Sequence, residues 1–132
     1  MKSTLVTIHK HSHYYLVTFH KGSNEAVDDW LAQVEQLHRL SKPEDCVSYK
    51  IVVYDKISSL AYIMRASSAS VRRNPNRPHT RTAVMYHSQD APLLSVLDMF
   101  LRWLTNNPRD QVRFFSYEHT TEAEEWLRWL DR

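Results

Sequence analysis

A chain of 132 residues with net charge +2, 42% hydrophobic and 24% charged residues has the size and composition of one domain that buries its own core, which excludes a mostly disordered protein. Its single glycine, Gly22, excludes glycine-rich phosphate loops and dinucleotide fingerprints, whose turns need several residues without a Cβ. Its single cysteine, Cys46, permits no internal disulfide, which suits a reduced, cytoplasmic setting, and no stretch reaches the ~18 apolar residues of a membrane span.

Leu5 to His9 and Tyr14 to Phe19 are β-rich runs joined by a short polar connection, so they read as an antiparallel hairpin. Ala26, Val27, Trp30, Leu31, Val34 and Leu37 then recur at helical spacing, with Ser23 or Asn24 as the cap and Pro43 just beyond the end. Tyr49 to Tyr54 is a compact apolar strand. A polar connection from Ser41 to Ser48 precedes it, where Cys46 reads as an incidental loop thiol. A helix over 59–73 follows, diluted by Ser67, Ser68 and Ser70, and a loop with Pro75 and Pro78 ends it.

Arg81 to His87 and Val112 to Tyr117 are two more strands, each followed by a helical pattern, which is the repeated signature of a parallel sheet with crossover helices. The helix over 92–105 carries a core stripe and a second apolar stripe of Val96, Met99 and Trp103, which makes it a candidate dimer or partner surface. The last helix starts in TTEAEE, where Thr121 and Glu124 fit a capping box, and it should bury Ala123, Trp126, Leu127 and Leu130. With no repeat or linker, residues 1–132 read as a single domain.

The element order, with the strand Ile51-Val52-Val53-Tyr54-Asp55, the strand Thr82-Ala83-Val84-Met85-Tyr86 and the closing Phe114-Phe115 and Glu122-Ala123-Glu124-Glu125-Trp126-Leu127, resembles the SpoIIAA-like fold that includes the STAS domains of anti-sigma-factor antagonists. The resemblance implies a bacterial regulatory or interaction module working through a protein partner, and because the sequence holds no HExxH, no GxSxG and no paired carboxylates with a shared task, neither catalysis nor a cofactor is expected. In regulatory STAS domains a DSSG-type turn carries a phosphorylatable serine. Here Ser58 and Ser59 follow Asp55 without that turn's adjoining Asp and Gly, so helix capping competes with phosphorylation at both.

The charge is uneven. From Lys56 to Gln89 there are six cations and no carboxylate, so the remainder of the chain is acidic. Arg65, Arg72, Arg73, Arg77, His79 and Arg81 form a candidate basic interaction surface for phosphates or an acidic partner. Stacking aromatics do not interleave with these arginines, which disfavours nucleic acid as a partner of the protein. Asp55, at the carboxyl end of its strand, is a candidate ligand-edge residue, with a turn or cap role as the alternative. His9, His11 and His13 alternate, with His20 at the other end of the hairpin. No carboxylate or thiol joins them, so a polar hairpin tip is favoured over a metal site.

These readings combine into an α/β domain with a mixed, mostly parallel sheet of five strands, an N-terminal antiparallel hairpin and helices mainly on one face. Strands apolar on both faces then predict a homodimer or an unidentified protein partner. The alternative function is a carrier of a small lipid or nucleotide in a cavity between sheet and helices.

Overall fold

The computed structural model describes residues 5–87 and 109–130. Five strands form one sheet in the order β1 (Val6–Lys10), β2 (Tyr15–Phe19), β3 (Cys46–Val53), β4 (His79–Tyr86) and β5 (Asp110–Ser116). The first pair is antiparallel, with Val6 opposite Phe19 and Lys10 opposite Tyr15, and the other three pairs are parallel. This is the α/β architecture and the mixed, mostly parallel sheet that the strand and helix patterns predict.

The hairpin forms because its side chains alternate. Val6, Val17 and Phe19 point to one face, and a tight turn closes where His11 N–H donates to Tyr14 C=O at 2.8 Å. Helix α1 (Asn24–Arg39) starts at Ser23, whose hydroxyl accepts from the Ala26 N–H at 3.2 Å. It buries Ala26, Val27, Leu31 and Val34 against Val6, Val17, Phe19, Tyr49 and Ile51. Helix α2 (Leu60–Arg73) lies beside it on the same face, adding Tyr62, Ile63 and Ala66 to that core.

The opposite face holds a second core of Tyr14, Val52, Ala83 and Met85, under Ala123 and Leu127 of the C-terminal segment. Helix α3 (Thr120–Trp126) enters there after a 3-10 turn over Tyr117–His119. Two of the three described helices thus share one face, and the short third covers part of the other.

Three sequence expectations need correction. Strand β3 begins at Cys46, inside the stretch read as a polar connection, because the pairing of Cys46 with His79 and of Val47 with Thr80 extends the ladder and buries Ser48. No capping box forms in α3, since Thr121 lies within the helix and the Glu124 carboxylate turns instead to Tyr14. Leu130 is 81% exposed rather than part of the core, because the helix ends at Trp126 and Trp129 takes a left-handed φ of 61° that redirects the chain. The stripe of Val96, Met99 and Trp103 lies outside the described residues.

Candidate functional site

The predicted basic surface divides in two. Arg77 and Arg81 are buried, at 9% and 5% exposure, so neither belongs to a surface. Arg77 sits at the foot of β4, where it clasps Asp110 at the start of β5. Its Nε lies 2.9 and 3.1 Å from the two carboxylate oxygens, and Nη2 closes the second arm of the fork. Nη1 donates to Asn74 C=O at 3.1 Å, so the guanidinium also fastens the loop after α2. A lone arginine there would be an uncompensated buried charge, and Asp110 supplies the compensation from 33 residues away.

Arg81 points to the α3 face. Its Nη1 donates to Trp126 C=O at 2.7 Å, and its guanidinium lies 4.4 Å from the Trp129 ring centroid and 5.3 Å from that of Trp126. Arg113 approaches the Trp126 ring at 4.9 Å. Ser48 Oγ donates to Leu127 C=O at 2.6 Å and accepts from Trp129 Nε1 at 2.8 Å. Tyr14 O–H donates to Glu124 Oε1 at 2.8 Å, and Lys50 Nζ stands 3.6 Å from the same oxygen. Burial, followed by the hydrogen bond to Glu124 and its charge, pushes the Tyr14 phenol up to about 12. Tyr14 and Lys50 in turn hold the Glu124 carboxyl below its ordinary value, against a smaller opposing effect of burial. Arg81 therefore helps fix the C-terminal segment to the sheet.

The exposed part of the basic surface is on α2, where Arg65, Arg72 and Arg73 remain in solvent, and His79 is half-buried at the start of β4. Arg65 and Arg72 are seven residues apart on one helix, hence on one side of it and about 10 Å apart along its axis. Between α2 and α1 runs an open groove of about 540 Å³, lined by Asp28, Leu31, Glu35, Tyr62, Arg65 and Arg73. Its two ends are tied across the helices. At one end Tyr62 O–H donates to Asp28. At the other, Glu35 Oε1 accepts from Ser70 at 2.8 Å and from Arg73 and Asn74 at 2.9 Å each. Burial would raise the Glu35 carboxyl, but these three donors outweigh it and hold the group below its ordinary value.

Asp55 and the two serines sit at the other end of the sheet. Ser59 caps α2, its hydroxyl accepting from Tyr62 N–H at 3.1 Å, while Ser58 is exposed and its N–H donates to Gly22 C=O at 2.8 Å. Asp55 accepts from Gly22 N–H at 3.0 Å, and that bond, followed by one from Lys56 N–H, lowers its pKa. Asp55 thus fills a turn role. The lone glycine is required here by close approach, since a Cβ on Gly22 would stand 1.8 Å from Lys56 C=O.

Three of the four hairpin histidines are engaged separately. His13 Nε2 donates to Glu124 C=O at 2.8 Å, His11 stacks on Tyr14, and His20 shares a hydrogen bond with Thr7. Among the described residues no group of three His, Cys, Asp or Glu side chains comes together in a way that could hold a metal ion. Cys46 is exposed at the edge of β3.

Sequence reasoning missed the acidic wall of the groove. Asp28 and Glu35 occupy one side of α1 seven residues apart, a spacing visible in the sequence, but nothing there showed that this side would face α2. Compared with family models, curated proteins and solved structures, the chain matches none of them.

Proposed function

We propose that this protein is a non-catalytic interaction module that docks an acidic segment of a partner protein along α2. The observation that carries this reading is the exposed pair Arg65 and Arg72 on one side of α2, beside an open groove in which Glu35 is engaged by Ser70, Arg73 and Asn74 and Asp28 by Tyr62. Arg65 lines the trough together with Leu31 and Ala66, so an incoming carboxylate finds a cation beside apolar surface. The SpoIIAA-like resemblance supports the same reading, and a cytoplasmic setting and a bacterial origin belong to the proposal with it. Self-association into a homodimer belongs to the proposal too, and light scattering across a concentration series tests it. No helix among the described residues is long and apolar enough to cross a membrane.

The test is charge reversal. Arg65→Glu combined with Arg72→Glu leaves the fold intact by circular dichroism and removes any partner that crosslinks to the wild-type α2 surface, as read by quantitative mass spectrometry. Recovery of the same proteins by both forms would count against the module.

A further inference from the structure

The four parallel strands end in a pattern that neither the groove nor the basic row explains. The first residue after β2 is His20, after β3 Tyr54, after β4 His87 and after β5 Tyr117, so each strand is followed at once by a ring. The register makes them neighbours. Phe19 is level with Val53 and Tyr86 with Ser116, and the pairing of Ile51 with Val84, continued two residues along, brings Val53 level with Tyr86. The rings therefore follow one another across four adjacent strands, a row of about 14 Å at ordinary strand spacing.

Side-chain positions agree with the register. The His20 and Tyr54 centroids are 6.5 Å apart and those of His87 and Tyr117 are 4.7 Å apart, both pairs tilted by 38°. Tyr117 has its pKa raised by burial first and then by the charge of Tyr54. Tyr117 is half-buried against the second core, while the other three rings face solvent, His20 and His87 exposed and Tyr54 at 73% exposure. A tyrosine so exposed at the end of a core strand contributes little to the fold, and the carboxyl ends of parallel strands are where open α/β sheets receive ligands.

Charge narrows the ligand class. Lys21 and Lys56 are exposed one and two residues beyond His20 and Tyr54, and Asp55 beside them stays anionic while it accepts from the Gly22 and Lys56 N–H groups, so the two lysines outnumber the one carboxylate at this end. Glu118 lies at the far end, beside Tyr117. A platform of rings with cations along one side is the arrangement that binds stacked bases and their phosphates together. Its length takes two or three consecutive bases rather than one. We infer that the row His20–Tyr54–His87–Tyr117, flanked by Lys21 and Lys56, is a binding site for a short stretch of single-stranded nucleic acid.

Fluorescence anisotropy of labelled oligouridylate and oligothymidylate at low salt tests this with the intact protein. The expected result is saturable binding that weakens as salt rises, falls about tenfold or more in Tyr54→Ala and persists in Tyr54→Phe, which keeps the ring. Because Tyr54 is largely exposed, the alanine variant should fold normally. Three outcomes would overturn the inference: no binding at hundreds of micromolar protein, equal binding by wild type and Tyr54→Ala, or a mononucleotide bound as tightly as the oligonucleotide. None of these outcomes touches the α2 row, which the Arg65 and Arg72 variants probe separately.

Discussion

The two ends of the parallel sheet treat polar side chains in opposite ways. At the amino ends of the strands, Arg77, Asp110, Ser48, Thr80 and Arg81 are buried and joined to one another or to carbonyls of the C-terminal segment. At the carboxyl ends, Tyr54, His20 and His87 stand in solvent, and the turn beneath them is held by backbone groups and one carboxylate. A buried charge needs a fixed partner, so the amino end is expensive to alter. The carboxyl end keeps its rings accessible because the Gly22–Asp55 turn holds the backbone without their help. Stability and recognition are thereby separated along the strand direction, and substitutions at the two ends should differ in kind.

The largest effect should come from Asp110→Asn, which leaves the Arg77 guanidinium buried without its countercharge. A loss of about 3–5 kcal/mol is expected, measured by urea denaturation. Gly22→Ala is the carboxyl-end counterpart. Its methyl group must displace the Lys56 carbonyl, costing about 1–3 kcal/mol, and amide shifts should concentrate near Lys21 and Lys56. If Gly22→Ala cost more than Asp110→Asn, the contrast between the two ends would be reversed.

Cutting the α3 clamp should have a smaller effect. Tyr14→Phe removes the donor to Glu124, for a loss of about 1 kcal/mol, visible as a lower melting temperature and altered fluorescence of Trp126 and Trp129.

A modest pH dependence should arise from the buried polar network. His38 shares a 2.8 Å hydrogen bond with Tyr49 and has its pKa lowered from 6.5, chiefly by burial. Its contribution to stability is complete above pH 6.5 and is lost as pH falls from there through the lowered folded-state value. The Glu35 and Glu124 carboxyls are also lowered in the folded state, so their contributions are present above their ordinary value of 4.5 and are lost in more acid solution. Melting temperature should therefore begin to fall below pH 6.5, and His38→Gln should flatten the upper part of that slope. An unchanged slope would remove His38 from the network. The smallest stability change belongs to Tyr54→Ala, within about 0.5 kcal/mol of wild type, although its effect on nucleic-acid binding should be large.

Much of the scaffold was readable in advance because it depends on short-range pattern. Alternation in Leu5–His9 and Tyr14–Phe19 marked the hairpin, helical spacing from Ala26 to Leu37 marked α1, and Ser23 and Ser59 stood where caps were needed. Where the pattern failed, a distant partner had intervened. Cys46 to Ser48 look like loop until β4 pairs with them, and Glu124 looks like a capping-box residue until Tyr14, far away in the chain, takes its carboxylate. The candidate sites were less legible. Arg77 and Arg81 share a basic run with Arg72 and Arg73, and no local feature distinguishes an arginine that will meet Asp110 from one that will meet water.

By itself the sequence determined the α/β class, the antiparallel hairpin, the parallel strands and, to within one residue, two helix caps, since periodicity and capping act over a few residues. Only the tertiary structure decided which arginines are buried, why the lone glycine stands at position 22 and that His20, Tyr54, His87 and Tyr117 form one row. Each of these depends on the lateral order and register of strands far apart in the chain, and strand pairing brings together residues that no local spacing connects.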